Sequence, residues 1–137
     1  MKQITIQIRR ESDIILASQR GRKLADTLGF SNNDQVLVVL AISEIAHNIL
    51  RYATKGEVTI LSLVEADKTG LEIMAWDSGP GIHNIGQALQ DGYSTGDGLG
   101  IGLPGVKRLM DEFEISSAVG KGTTIVIRKW LHSSFQN

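Results

Sequence analysis

Three groups of residues have the types and spacing to do chemistry. Glu44 and Asn48 lie four apart, a separation that puts two side chains on one face of a helix. A carboxamide oxygen such as Asn48's can coordinate a hard cation without adding charge. Mg²⁺ takes one or two protein oxygens and completes its shell with phosphate and water. Glu44 would then be free to take a proton from a hydroxyl or a water. Arg51 and Lys55 extend the same row. Taken alone, the row reads more simply as a solvated face with ordinary Glu–Arg pairing. Arg51 has two readings, a phosphate contact or plain surface charge. His47 reads as a helix-face histidine without a chemical role.

The second group is Asp77, at the end of the apolar run Leu71–Trp76 and followed by Ser78-Gly79-Pro80-Gly81. An Asp in such a place is commonly a turn former. Gly79 and Gly81 open another reading, because residues without Cβ let the backbone approach a flat ligand. The carboxylate can accept from an exocyclic amine such as adenine's, and a buried acceptor of that kind rejects a base that leaves it unpaired. The third group is Gly98-Leu99-Gly100-Ile101-Gly102-Leu103-Pro104-Gly105, which runs into a helix start. Free amides and the positive end of the helix dipole form a natural phosphate site. The string lacks the Gly-Lys-Ser/Thr ending of a P-loop, and no parallel βαβ unit surrounds it as a Rossmann fingerprint requires. A flexible loop with a helix cap is the plainer alternative. Lys107, one turn into the helix, reads as a phosphate contact or as surface charge. Residues 91–97, polar and glycine-containing, suit a lid that closes over a nucleotide.

The elements that must position these groups follow from periodicity. Lys2–Arg9 alternates Ile4, Ile6 and Ile8 on one face, a strand pattern. Ser12 or Asp13 can cap a helix that runs to Leu28 and stops at Gly29. Ser31 and Asp34 form a capping-box-like start for a second helix reaching about Ala53. Its expected apolar stripe is Val36, Val39, Leu40, Ala46, Ile49, Leu50 and Ala53. Val58–Val64 and Leu71–Trp76 read as strands around a turn at Asp67–Gly70. A short helix is expected near Ile85–Leu89, and another with Pro104 in its first turn, continuing to about Glu112. Phe113–Val119 and Thr123–Leu131 read as two more strands about a Gly120–Gly122 turn, with a frayed tail over 132–137. Paired strands after paired helices predict an α+β fold: a two-layer sandwich, mostly antiparallel, with helices on one face.

Composition narrows the function. The 137 residues fit one domain, 1–137, and 42% apolar residues fill one core. Fourteen basic and fifteen acidic side chains give a net charge of −1. That is no electrostatic footprint for nucleic acid or an anionic membrane surface. There is no cysteine, hence no disulfide and no thiolate metal site. The amino terminus lacks the apolar core of a signal peptide, and the longest apolar run, Val36–Ile42, is too short to span a bilayer. A cytoplasmic protein is expected.

Together and in order, the three groups resemble the GHKL (Bergerat) ATP-binding fold shared by gyrase, a heat-shock chaperone, histidine kinases and MutL. By that resemblance Glu44 and Asn48 belong to its N box, and Asp77, Gly79 and Gly81 to its first glycine box. Gly98, Gly100, Gly102, Leu103 and Gly105 belong to its second. Gly120-Lys121-Gly122-Thr123-Thr124 is similar to its last turn, where a threonine, here Thr123, supports the adenine carboxylate. The length leaves no room for the large extra domains of gyrase, the chaperone or MutL, or for a phosphoacceptor-histidine helix. Leu103 is followed by Pro104-Gly105 where histidine kinases usually carry Ser-Ile. The run GLGIGLPGVKRLMDEF, with Ser43-Glu44, Asn48-Ile49, Tyr52-Ala53, Lys55-Gly56 and Asp91-Gly92, resembles the RsbT-type switch kinases of the stressosome.

The resemblance implies a protein serine/threonine kinase using ATP and Mg²⁺. Asn48 would hold the metal, Glu44 would act on the acceptor hydroxyl, and Lys107 would lie beside the phosphates. Its implied partners are STAS-domain antagonist and scaffold proteins, which it phosphorylates, and a PP2C-type phosphatase, which it activates on release. Two alternatives stay open: an anti-sigma-factor kinase of the RsbW or SpoIIAB kind, and a nucleotide-gated interaction module that turns over no ATP.

Overall fold

The computed structural model describes residues 2–53, 55–79 and 101–131. The elements run β1 (Gln3–Ile8), α1 (Glu11–Leu28), α2 (Asn32–Tyr52), β2 (Gly56–Glu65), β3 (Lys68–Asp77), α3 (Gly102–Leu109), β4 (Glu112–Ala118) and β5 (Gly122–Trp130). The five strands form one sheet in the order β1-β2-β3-β5-β4, and every neighbouring pair is antiparallel. The α+β sandwich expected from the element order is the observed architecture. The expected short helix near Ile85–Leu89 and the tail 132–137 lie outside the described residues.

Strand alternation sorts the sheet into two faces. Ile6, Ile8, Val58, Ile60, Leu71, Ile73, Ala75, Ile125 and Ile127 point toward the helices and are buried. There they meet Ile14, Ala17, Leu24, Val38, Ile42, Ile45 and Ile49 from α1 and α2, and Leu103 and Val106 from α3. The other face carries Thr5, Thr59, Met74 and Trp76, with Trp76 and Met74 well exposed. On that face Arg128 ties three strands, pairing with Glu72 at 2.8 Å and Glu112 at 2.9 Å. No described helix is long and apolar enough to cross a membrane.

Several local expectations shift, each for a physical reason. α1 begins at Glu11. Asp13 acts from inside its first turn, accepting the amides of Arg9 at 2.9 Å and Arg10 at 3.2 Å. Gly29 stops α1 as expected, in the left-handed region at φ 97°. The Gly29 and Phe30 amides close onto Asp26 and Ala25, the pairing that closes a helix onto a glycine. Ser31 caps α2 through the Asp34 amide at 3.1 Å.

The core stripe of α2 is Val38, Ala41, Ile42, Ile45, Ala46 and Ile49, whereas the expected member Val36 is exposed. α2 is apolar on more than one side, so sequence periodicity does not single out the buried one.

The β2–β3 turn is Ala66–Asp67, tighter and earlier than Asp67–Gly70. Gly70 lies within β3, where a Cβ would sit 2.6 Å from the Trp130 ring, so that glycine makes room for an indole. α3 carries Pro104 in its first turn, as expected, but stops at Leu109 rather than near Glu112. Glu112 instead opens β4, where it pairs with Arg128 and accepts from the Trp130 indole N–H. Lys129, buried beneath, donates to the Leu109 carbonyl at 3.2 Å and fastens the end of α3.

Candidate functional site

α2 presents Glu44 and Asn48 inward, not to solvent: they are 2% and 3% exposed. The plainer reading of a solvated face is set aside, since neither side chain reaches water. Glu44 Oε1 accepts the Gly102 amide at 2.8 Å. Its other oxygen, Oε2, is buried with no hydrogen-bond partner among the described residues. A buried carboxylate oxygen without a donor is costly, and such an atom is most easily explained by a ligand that supplies one. Gly102 is the first residue of α3 and has φ +61°, a conformation open to glycine at little cost. The carboxylate of α2 thus caps the N-terminus of α3.

The remaining residues of the α2 row diverge. Lys55 lies beyond the end of the helix and is exposed, so it does not continue the row. Arg51 is half-buried in the last turn. His47 faces α1, with Nδ1 2.8 Å from the Ser43 carbonyl and Nε2 3.0 Å from Glu11. It joins the two helices and stands apart from Glu44.

Asp77 ends β3 and is 2% exposed. Its Oδ1 accepts the Gly79 amide at 2.9 Å, and the Thr123 amide lies on the same side of the carboxylate's balance as a smaller favourable influence. Burial pushes the carboxyl above the usual carboxylate range, and the two amides pull it part of the way back. The surroundings are cut to fit. A Cβ on Gly79 would lie 2.6 Å from Ala53 Cβ, and one on Gly122 only 2.1 Å from the Asp77 carbonyl. A Cβ on Gly56, the β2 neighbour, would lie 2.9 Å from Ile49 Cγ2. Asp77 is therefore held between the end of α2 and the β4–β5 turn.

Thr123 lies directly across from Asp77 in the sheet, and Ser117 across from Thr123. The three share the helix-facing side of adjacent strands. The sequence reading singled out Asp77 and Thr123 but missed the residues packed around them, Ser117, Gly56 and Gly122. Counting back from the Gly120–Gly122 turn in a hairpin register would have found Ser117.

The α3 candidates divide by what they can offer. Leu103 packs its side chain into the core. Gly105 donates its amide to Ile101 at 3.1 Å. Its lack of a Cβ matters because one would sit 2.6 Å from Ile101 Cβ. Lys107 is exposed. Gly81, Gly98 and Gly100 lie outside the described residues. Two grooves, one lined by Arg22, Asp26, Phe30 and Gln35 and one by Ile14, Ile15, Leu40 and His47, share no residue with this site. The described residues hold no cluster of three or more His, Asp or Glu that could grip a metal. A cation here would draw most of its ligands from phosphate and water, the habit of Mg²⁺.

The sequence matches the histidine kinase-like ATPase domain over residues 14–129. It is 50% identical over 129 residues to the serine/threonine-protein kinase RsbT of Bacillus subtilis (strain 168), covering 94% of this chain and 97% of that protein. It is 35% identical over 98 residues to the anti-sigma F factor of Clostridium acetobutylicum, covering 67% of each. Among solved structures, the RsbU and RsbW domains of Rv1364c from Mycobacterium tuberculosis superpose with a TM-score of 0.63 at 16% identity, over 96% of this chain and 32% of that one. The mycobacterial sensor histidine kinase MprB gives a TM-score of 0.54, also at 16% identity, over 96% of this chain and 99% of that one. At such identities the two structures speak for the fold alone. With the domain match spanning most of its length and half its residues shared with one kinase, the chain belongs to the histidine kinase-like ATPase family and, within it, to the RsbT-type serine/threonine-protein kinases.

Proposed function

We propose that this chain acts as one cytoplasmic kinase domain. It transfers a phosphoryl group from ATP to a serine or threonine of STAS-domain antagonist and scaffold proteins and, once released, activates a PP2C-type phosphatase. The observation that carries the reading is the 2.8 Å contact between Glu44 and the Gly102 amide. It brings a buried carboxylate within one hydrogen bond of a helix N-terminus, the place where phosphate is favoured. A base and an anion site are thereby adjacent, and phosphoryl transfer asks mainly for positioning and neutralised charge.

In this reading Asp77 accepts from the adenine amino group, and Gly79 and Gly122, whose missing Cβ atoms let Ala53 and the Asp77 carbonyl pack close, hold that carboxylate in place. Of the amides opening α3, Gly102's serves Glu44 and Gly105's serves Ile101, and Pro104 has none, so the Leu103 amide is the one that receives a phosphate oxygen. The Asn48 carboxamide oxygen is a hard donor suited to Mg²⁺, which when bound neutralises phosphate charge. Glu44, with Oε2 lacking a donor among the described residues, orients the acceptor hydroxyl and takes its proton. Lys107 and Arg51 remain candidates for phosphate contact.

The test is incubation with Mg²⁺, γ-labelled ATP and a STAS-domain protein from the same genome, beside an Asn48→Ala control. Label on the STAS protein that disappears in the control is the expected result. ATP binding without label on any partner would sink the kinase reading and leave a nucleotide-gated module. The 35% identity to an anti-sigma F factor favours one second reading, sequestration of a sigma factor, which copurification with a sigma factor would reveal.

A further inference from the structure

We infer that Ser117 is a positioning residue for base recognition: it takes the hydroxyl proton of Thr123, so that Thr123 stands beside the Asp77 carboxylate as an acceptor only. The inference rests on the reading of Asp77 as the purine-contacting carboxylate and names what sharpens its choice of base.

Asp77, Thr123 and Ser117 form one row across β3, β5 and β4, all on the side that faces the helices. Ser117 Oγ lies 3.2 Å from the Gly122 carbonyl and 2.8 Å from Thr123 Oγ1. A hydroxyl has one proton, and a carbonyl oxygen can only accept. If Ser117 gives its proton to Gly122, the shorter contact is a hydrogen bond only when Thr123 donates. That arrangement satisfies both contacts at once. Thr123 and Asp77 are 3% and 2% exposed, so bulk water offers the Thr123 hydroxyl little alternative. What remains on Thr123 is a lone pair, next to a carboxylate.

Two acceptors side by side suit the amino group at the six-position of adenine, which brings two hydrogens. They disfavour a purine with oxygen at that position, as in hypoxanthine or guanine: its N1–H can serve one acceptor, but the oxygen itself then finds no donor. A Thr123 hydroxyl free to rotate would donate to that oxygen and blunt the rejection. Ser117 prevents this without touching the base.

The probe pair is ATP and inosine triphosphate, whose bases differ at the six-position and the adjoining ring nitrogen. Dissociation constants are measured by calorimetry for the parent, Ser117→Ala and Ser117→Thr, with a thermal melt of each to confirm folding. The parent is expected to prefer ATP. In Ser117→Ala that preference falls about tenfold, mainly through tighter inosine triphosphate binding, with ATP affinity within about threefold of the parent. Ser117→Thr, which keeps a hydroxyl, restores the preference. A Ser117→Ala protein that weakens for both nucleotides alike, or whose preference is unmoved, overturns the inference and leaves Ser117 a hairpin residue. A folded parent that binds no ATP overturns the Asp77 reading itself, which separates the two failures.

Discussion

Replacing Asp77 by Asn should move stability and nucleotide binding in opposite directions. The Asp77 carboxylate is 2% exposed, accepts the Gly79 amide at 2.9 Å, and is also favoured in its charged form by the Thr123 amide. Burial still outweighs them and raises its pKa above the ordinary value. A carboxyl raised in the folded state contributes stability that is fully present below the ordinary carboxylate range and is lost as pH rises through the raised value. At neutral pH the ionised group therefore works against the fold. Asn has nearly the same shape, carries no charge and keeps an oxygen for an amide. The Asp77→Asn melting temperature at pH 7 should equal or exceed the parent's, and the difference should shrink toward pH 4.

Binding should go the other way. A hydrogen bond to a charged acceptor contributes about 1.5–3 kcal/mol, which is roughly 10- to 150-fold in Kd. Calorimetric titration with ATP should show a loss in that range. Because the amino group needs the ionised carboxylate, parent affinity should also drop as pH falls through the raised pKa. Asp77→Asn should lack that component, while the titration of ATP's own phosphates is common to both proteins. A folded Asp77→Asn that binds ATP as tightly as the parent refutes the site assignment. A melting temperature several degrees lower at pH 7 refutes the argument from burial.

Two glycine-related substitutions test the frame around the site. Gly122→Ala combines φ +100° with a Cβ 2.1 Å from the Asp77 carbonyl. Urea denaturation should show a loss of about 1–3 kcal/mol, with weaker ATP binding because Asp77 must shift. Ala66, the non-glycine residue with positive φ among those described, sits at φ 55° in the β2–β3 turn. Ala66→Gly should gain about 0.5–1 kcal/mol, since relief of the left-handed penalty exceeds the added chain entropy. It should leave ATP affinity unchanged, being at the far end of β3 from Asp77.

Much of the fold is legible along the chain because its punctuation is local. Gly29 stops α1 and Ser31 starts α2 through contacts only a few residues long, and the alternating Ile4, Ile6 and Ile8 need nothing distant to read as a strand. Less legible were features whose cause lies elsewhere in the molecule. Gly70 resembles a turn residue until Trp130 is seen against it. Val36 resembles a core residue until the packing of α2 leaves it outside. Glu112 resembles the end of a helix until Arg128 and Trp130 claim it for β4.

The sequence by itself determined the kinds of group at the site and their order: a carboxylate and carboxamide one helical turn apart, an Asp before glycines, and a glycine run opening a helix. Those properties belong to residue type and short-range spacing, which the chain carries wherever it goes. Only the tertiary structure decided that Glu44 is buried and caps α3 at Gly102, that burial rather than hydrogen bonding dominates the Asp77 carboxyl, and that Ser117 stands next to Thr123 and Asp77. Burial and strand register arise from contacts between segments far apart in the chain, so they exist only once the sheet has paired and the helices have closed over it.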